Sequence, residues 1–356
     1  MSNEKRIALG MSGGVDSATS AIFLKRAGYE VVGVTALFLD SEDARSAARD
    51  AANVCKLLGI QHLVRDCTAN FECEVVTPFV KGYAQGLTPS PCVECNACAK
   101  IPVLMEAAHD LGCEKIATGH YARVAQLSSN GRYIVKTALD YGKDQSYMLS
   151  QLNQNQLSCL LLPLGAVTKA EVRIVAQDAG LIVANKAESQ DLCFIKGKYH
   201  EFLSERGLAE KPGNIVNEAG TVLGQHLGLA AYTIGQRKGI GVAGPQPYYV
   251  LAKRAATNEL VVGFAEDTYI TKVIVKNPNW QAFERLENGL ECMVKLRYRA
   301  APAACRIIYR SETSEKNTLC VELQSPQSIT APGQYAVFYQ GEDALGGGVI
   351  SATLRG

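Results

Sequence analysis

The sequence predicts an α/β protein in three parts: a parallel sheet wrapped by helices, then a small β-rich region, then a run of short antiparallel strands. Three observations predict it. From residue 1 to about 205, short apolar runs alternate with amphipathic segments, as in a parallel sheet covered on both faces. Lys211-Pro212-Gly213-Asn214 then breaks the alternation with turn chemistry. Beyond residue 269, six short β-type runs recur with turns between them, the pattern of a small antiparallel barrel or sandwich. At 356 residues the chain is long for a single hydrophobic core. The composition shifts divide it at 1–205, 206–268 and 269–356.

Each element has a local reason. Ile7-Ala8-Leu9 is a buried strand, and Val15 to Ala27 carries apolar residues at helical spacing up to a stop at Gly28. Glu30 to Leu39 is a Val- and Leu-rich strand. Glu42 to Leu58 is an alanine-rich helix ended by Gly59, and Gln61 to Asp66 is the next strand. A helix follows from about Asn70 to Tyr83. After a cysteine cluster, helical spacing resumes up to Leu111-Gly112, and Lys115 to Thr118 is a short strand. Past the break, Tyr232-Thr233-Ile234, Tyr248 to Ala252 and Leu260 to Gly263 read as strands. The C-terminal set is Lys272 to Val275, Glu291 to Arg297, Ala304 to Tyr309, Thr318 to Leu323, Tyr335 to Tyr339 and Gly348 to Ser351.

Composition narrows the function classes. No apolar stretch approaches the roughly 20 residues needed to span a bilayer, and residues 1–6 lack the apolar core of a signal peptide. A cytoplasmic protein with no membrane partner is expected. The net charge of +1 neither demands nor excludes nucleic acid, because a basic face can coexist with a neutral total. The twelve cysteines are therefore expected to be mostly reduced. Cys55, Cys73, Cys113 and Cys159 fall in helical patterns as small core residues, and Cys67, Cys292, Cys305 and Cys320 lie near strands with the same reading. Cys92, Cys95, Cys98 and Cys193 stand apart.

The most informative stretch is Ser12-Gly13-Gly14-Val15-Asp16-Ser17, between the first strand and the first helix. A Gly-Gly turn there lets backbone N–H groups approach an anion, and the helix N-terminus adds positive potential. Ser12 and Ser17 supply hydroxyls, and Asp16 suits Mg²⁺ or the orientation of the loop. The loop lacks the lysine of a Walker A sequence. It resembles the pyrophosphate loop of ATP pyrophosphatases, which activate a carbonyl oxygen by adenylation. By that likeness the first part is a PP-loop domain of the adenine nucleotide alpha-hydrolase type, binding ATP with Mg²⁺ at the carboxyl ends of its strands.

The segment Pro91-Cys92-Val93-Glu94-Cys95-Asn96-Ala97-Cys98 opens a helix after a proline-stiffened loop. A thiol at a helix N-terminus is expected to have a depressed pKa and raised reactivity. Thiols at this spacing also allow metal or cluster ligation, for which zinc requires a fourth Cys or His. Cys193, in Glu188-Ser189-Gln190-Asp191-Leu192-Cys193-Phe194-Ile195, gains interest from the loop: a carbonyl-activating ATP site plus separated reactive thiols suits sulfur transfer.

Eight strings together carry a closer resemblance. They are Gly10 to Ser17, Cys95-Asn96, Ala117 to Arg123, Lys143 to Leu149, Glu188 to Ile195, Tyr232 to Gly239, Lys295 to Arg299 and Pro332 to Tyr339. In this order, over nearly the whole chain, they resemble the tRNA-specific 2-thiouridylases, which thiolate the wobble uridine of certain tRNAs. The resemblance implies a PP-loop domain, a small central domain and a C-terminal β-barrel. It implies adenylation of the uracil O2 and its replacement by sulfur carried as a persulfide on Cys193, with Cys95 as partner nucleophile. It also implies partners: the tRNA anticodon loop and an upstream persulfide donor protein or sulfide source. By position, Gly10, Met11, Ser12, Gly13, Gly14, Val15, Asp16, Ser17, Ala36 and Gly119 match the ATP site. Ser90, Pro91, Cys92, His120, Lys143, Asp144, Gln145, Arg297, Tyr298 and Gln334 match tRNA contacts.

The chain departs from the family pattern around the first cysteine. Ser90-Pro91-Cys92 stands where many relatives have Asn-Pro-Asp or Asn-Pro-Cys, Ala97 replaces a basic residue, and Cys98 is added. The extra thiols raise an alternative in which Cys92, Cys95 and Cys193 hold a [4Fe–4S] cluster whose open iron binds hydrosulfide. Two readings from other classes compete: an ATP-dependent amide ligase, in which the cysteines are idle, and an RNA-binding module with a vestigial nucleotide loop.

Overall fold

The computed structural model describes residues 5–181, 183, 192–197, 199–208, 211–309 and 317–355. Of the eight matching strings, the 188–191 part of the one around Cys193 lies outside them. The first region alternates strands and helices: β1 (Arg6–Gly10), α1 (Val15–Arg26), β2 (Glu30–Leu37), α2 (Glu42–Leu58) and β3 (Gln61–Asp66). The next helical stretch is longer and less regular than its periodicity predicts. α3 (Thr68–Phe71) passes through a π turn at Glu72–Val76 into α4 (Thr77–Ala84), and α5 (Pro91–Glu94) passes through a second π turn at Cys95–Lys100 into α6 (Ile101–Asp110). Then come β4 (Lys115–Ala117), β5 (Arg123–Gln126), β6 (Tyr133–Lys136), α7 (Gln154–Cys159), β7 (Leu160–Leu161), α8 (Lys169–Asp178) and α9 (Tyr199–Glu205).

The first sheet is parallel throughout, in the order β3-β2-β1-β4-β7. Its chain path runs outward in one direction from β1 to β3 and in the other from β1 through β4 to β7. The loops after β1 and β4 therefore part at a topological switch point, where ligands of such sheets bind. One apolar layer packs α1, α2 and α8 on the sheet through Ile7, Leu9, Ala18, Ala21, Val54 and Val172. The other packs α6 on it through Ala8, Val32, Leu104, Ala107 and Ile116. The strands are Val-, Ile- and Leu-rich with little alternation because both faces are covered.

The second region is a four-stranded sheet: β8 (Gly213–Val216), β9 (Val222–His226), β10 (Tyr249–Arg254) and β11 (Glu259–Gly263), in the order β10-β11-β8-β9. The expected strand at Tyr232-Thr233-Ile234 is not one. A 3₁₀ turn at Leu229–Ala231 leads into it, and the chain folds back at Thr233–Gln236, where the Gln236 amide donates to the Thr233 carbonyl at 2.9 Å. Tyr232 and Ile234 still serve the apolar cluster of this region, so their hydrophobicity reports burial and not extension.

The C-terminal strands are β12 (Tyr269–Trp280), β13 (Leu290–Lys295), β14 (Ala303–Tyr309), β15 (Thr318–Ser328), β16 (Tyr335–Gln340) and β17 (Asp343–Leu354). They run β12-β15-β14-β13-β16-β17 with β12 pairing back to β17, a closed antiparallel barrel that removes the exposed edges of an open sheet. The β5–β6 hairpin, a unit without a sequence-based expectation, leaves the first region and adds to this sheet, with Asp343 opposite Lys136 and Ala344 opposite Val135. The barrel is thus joined to the first region by backbone pairing.

The cysteines sort by packing. Cys55, Cys67, Cys113 and Cys305 are buried as expected, and Cys159, Cys292 and Cys320 are half-buried. Cys73 is exposed, against expectation: the π turn gives the buried side of that helix to Val75 and Val76 and turns Cys73 outward.

Candidate active site

The phosphate loop is shaped by short contacts. Gly13 has φ +70°, and a Cβ there would stand 2.2 Å from the Ala47 carbonyl oxygen of α2, so glycine is required on both counts. Ser17 Oγ donates to the Gly14 carbonyl at 3.1 Å and accepts from the Ser12 amide at 3.2 Å, closing the loop over the first turn of α1. The Met11 amide donates to the Val34 carbonyl at 2.8 Å, and Thr35 Oγ1 donates to the Met11 carbonyl at 2.8 Å. These bonds tie the loop to the end of β2, where Ala36 lies half-buried.

Asp16 takes the orienting role of its two sequence readings. Its carboxylate oxygens accept from Lys169 Nζ at 2.7 and 2.8 Å, and Tyr121 Oη donates to one of them at 2.7 Å. An ammonium thus stands against this carboxylate. Lys169 opens α8 behind a capping box formed by Thr168 and Glu171, which fixes the helix start and the lysine with it. Sequence reading missed Lys169, although Thr-x-x-Glu before an apolar run was its signal.

The loop after β4 bridges this site to the thiols. A Cβ on Gly119 would lie 3.0 Å from the Ser17 amide nitrogen, so the loop lies directly on the first turn of α1. The next residue, His120, is buried, with its Nδ1 2.7 Å from Thr118 Oγ1. Burial, helped by the nearby Lys100 cation, pushes its pKa down to about 3, so the imidazole is neutral at physiological pH. Gln145 clamps the same loop: its amide donates to the Tyr121 carbonyl at 2.7 Å, and its Oε1 accepts from the Tyr121 amide at 2.9 Å. Asp144 is buried and accepts from the Ala138 amide at 3.0 Å and from Ser146 Oγ at 2.8 Å, while Lys143 is half-buried in the preceding turn.

The second π turn carries Cys95, with Cys92 one turn before it in α5. Cys95 packs with Phe71, Val75, Val76, Phe194 and Phe202, so the residue after Cys193 and the helix of Cys95 share one apolar cluster. Phe194 stands edge-on to Phe71 and to Phe79, with centroids 5.8 and 5.2 Å apart. Cys193 is raised to about 11 by burial first, and then by Cys95 and Cys92, against the lowering effect of Lys100. Burial likewise raises Cys92, Cys95 and Cys98. The expected depression of these pKa values is not found: loss of hydration outweighs both the helix terminus and the cation. Cys92 and Cys193 nevertheless keep exposed surface, so reagents reach them.

Lys100 is the second residue missed in the sequence. Five positions after Cys95 along the π turn, it acts on Cys92, Cys95, Cys193 and His120 together. Asn96 is buried beside it, its Nδ2 donating to the Met148 carbonyl at 3.1 Å and its Oδ1 unpartnered among the described residues. Cys98 lines a cleft with Cys67, Asn70 and Glu106, and Glu94, Glu74 and Cys95 add to the upward push of burial on its thiol.

The barrel closes over the cysteine loop. Gln334 Nε2 donates to the Thr88 carbonyl at 2.7 Å, the Thr88 amide donates to the Pro332 carbonyl at 2.8 Å, and Tyr335 Oη donates to Glu94. Ser90 is half-buried and Pro91 buried in the segment so held. Tyr298 lies 6.0 Å from the Tyr147 ring, and its phenol is raised by burial, by Asp144 and also by Cys92, which places it near that thiol. Arg297 is exposed beside it.

The family model described as tRNA methyl transferase HUP domain matches residues 5–197, the tRNA methyl transferase PRC-barrel domain matches 200–264, and the aminomethyltransferase beta-barrel domain matches 270–350. A tRNA-specific 2-thiouridylase of Lachnoclostridium phytofermentans is 40% identical over 359 residues, 97% of this chain and 99% of that protein. One of Trichormus variabilis is 41% identical over 351 residues, 97% of this chain and 98% of that protein. The chain belongs to the tRNA-specific 2-thiouridylase family. As a 2-thiouridylase family member it carries the ATP-using loop of a PP-loop protein, with the thiols one loop away. Among the described residues, no three His, Cys, Asp or Glu side chains converge to hold a metal ion. No helix among the described residues is long and apolar enough to cross a membrane.

Proposed function

We propose that this protein catalyses ATP-dependent 2-thiolation of the wobble uridine of tRNA, by sulfur carried on Cys193 and resolved by Cys95. A uracil C2 carbonyl is amide-like and resists thiolation until its oxygen becomes a leaving group. ATP bound at Gly10–Ser17 and Gly119, with Ala36 beside it, supplies that change: the O2 attacks the α-phosphorus and diphosphate departs. The terminal sulfur of a Cys193 persulfide then attacks C2, and AMP leaves with the former O2. Cys95 attacks the Cys193 sulfur, the S–S bond to the transferred sulfur breaks with its electrons, and 2-thiouridine is released. A Cys95–Cys193 disulfide remains, for reduction by an external thiol.

One observation carries this reading: Cys95 and Phe194, the residue after Cys193, pack against one apolar cluster although they lie far apart in the chain. A methyl-transfer reading leaves both the phosphate loop and the thiols without a task. Ser90, Pro91 and Cys92 lie where the flipped-out base meets the thiols. Arg297 and Tyr298 suit phosphate pairing and base stacking at the barrel rim. His120 serves as a neutral hydrogen-bonding group, and Lys143, Asp144, Gln145 and Gln334 hold the surfaces against which the anticodon loop rests. A persulfide donor protein hands sulfur to Cys193, Mg²⁺ accompanies the ATP phosphates, and the reducing cytoplasm is the compartment in which such thiols persist.

The test is tRNA from cells lacking the protein, digested and analysed for 2-thiouridine at the wobble position. Its absence, restored by the wild-type chain and not by Cys193→Ser, is the expected result. Normal 2-thiouridine in such cells rejects the reading.

A further inference from the structure

The barrel holds a second thiol pair that the thiolation chemistry does not use. Cys292 on β13 and Cys305 on β14 are direct cross-strand partners, and their Sγ atoms are 3.6 Å apart. Directly opposed antiparallel residues have Cα atoms about 4.5–5.5 Å apart, inside the range of about 4.4–6.8 Å that a disulfide spans. Both side chains point into the barrel. Cys305 is fully buried among Ile307, Val294 and Val321, whereas Cys292 is half-buried and open to small reagents.

We propose that Cys292 and Cys305 form a dithiol–disulfide modification site, closed by exchange with a low-molecular-weight disulfide. Cys292 loses its proton to solvent and attacks one sulfur of the small disulfide. That S–S bond breaks, and one small thiolate departs and takes up a proton. Cys305 then loses its proton and attacks the Cys292 sulfur, and the second small thiol leaves. The protein has lost two hydrogens and the small disulfide has gained them. The order follows from access: a reagent meets half-buried Cys292 first, and fully buried Cys305 has the Cys292 sulfur 3.6 Å away. The new bond ties β13 to β14 just before the chain turns through Arg297 and Tyr298.

The test uses the full-length protein and oxidised glutathione at pH 8.5, followed by alkylation of the remaining thiols, proteolysis without reductant and mass spectrometry. The expected product is a linked peptide pair carrying Cys292 and Cys305, two hydrogens lighter than the separate peptides. Both cysteines are lost as alkylation sites and recovered on reduction. In Cys305→Ser, Cys292 stops as the glutathione mixed disulfide. Recovery of both residues singly alkylated from the wild-type protein, or of Cys292 held as a mixed disulfide beside an unreacted Cys305, overturns the proposal. The wild-type map decides even where the variant fails to fold. The read-out peptides exclude Cys95 and Cys193, so the result is independent of the proposed thiolation.

Discussion

The phosphate loop and the thiol site sit one loop apart and are built in opposite ways. Ser12, Gly13, Gly14 and Ser17 are neighbours in sequence, and their geometry comes from local bonds between the Ser17 hydroxyl and the loop backbone and one tight contact with α2. The thiol site is assembled from the second π turn, the segment around Cys193, the Lys100 cation and a barrel tyrosine. Its chemistry is set by burial, and burial works against it: every thiol there is pushed toward the neutral form. A site made of backbone is ready as folded, whereas one made of buried thiols must be charged, with sulfur or with a proton acceptor, before it acts.

The largest effects separate the two regions. Cys193→Ser and Cys95→Ser are each expected to abolish thiolation of tRNA, a loss of about a thousandfold or more for a group that bonds to the transferred sulfur. ATP–diphosphate exchange in the presence of tRNA should persist. If that exchange is lost as well, the two regions are a single unit and the contrast fails. Gly13→Ala should do the reverse. The alanine must adopt φ +70° with its Cβ 2.2 Å from a carbonyl oxygen. Strain of about 1–3 kcal/mol adds to that collision, so exchange should disappear and the melting temperature should fall. Alkylation of Cys193 by iodoacetamide should be unchanged.

Lys169→Met is the next step down. Asp16 loses the ammonium at 2.7 Å and, among the described residues, keeps the Tyr121 hydroxyl. Lys169 is 8% exposed, but the Asp16 side chain is 33% exposed. Solvent therefore screens part of the loss, and a cost of about 1–3 kcal/mol is expected in chemical denaturation. ATP affinity should fall with it. A variant as stable as wild type with full exchange activity would remove Lys169 from the loop.

The same contrast governs what the sequence revealed. Residues 10–17 could be read directly because a strand, two glycines and an N-terminal helical turn specify their geometry within a few positions. The parallel sheet and the C-terminal strands were legible from apolar periodicity for the same local reason. Lys100 looked like any helical lysine: only the π turn and the return of Phe194 and Cys193 give it three thiols to face. The depressed thiol pKa expected from a helix terminus failed because the burial of Cys95 depends on Phe71 and Phe194, which are distant from it in sequence. The β5–β6 hairpin was missed because its partner strand, β17, lies some two hundred residues downstream.

Lys100→Met carries the smallest expected effect and reports most directly on the thiols. The cation lowers Cys92, Cys95 and Cys193 against a larger upward push from burial. Removing it takes away that part of the opposition to burial, so all three titrate at higher pH. Alkylation of Cys193, followed peptide by peptide, should rise about tenfold per pH unit between pH 8 and the folded value, and at any pH in that range the variant should react about 3–10-fold more slowly. The sign for stability follows from the same shift. Folding favours the neutral Cys193 thiol, whose pKa is raised from 9.0 to about 11. Its contribution is complete below pH 9 and is lost as pH climbs toward 11, and Lys100→Met moves that loss upward. His120 gives the internal control, because burial dominates its downward shift and the imidazole should stay neutral in both proteins. A Cys193 alkylation profile that does not move on Lys100→Met would mean that solvent screens the ammonium. The thiol site would then depend on burial alone.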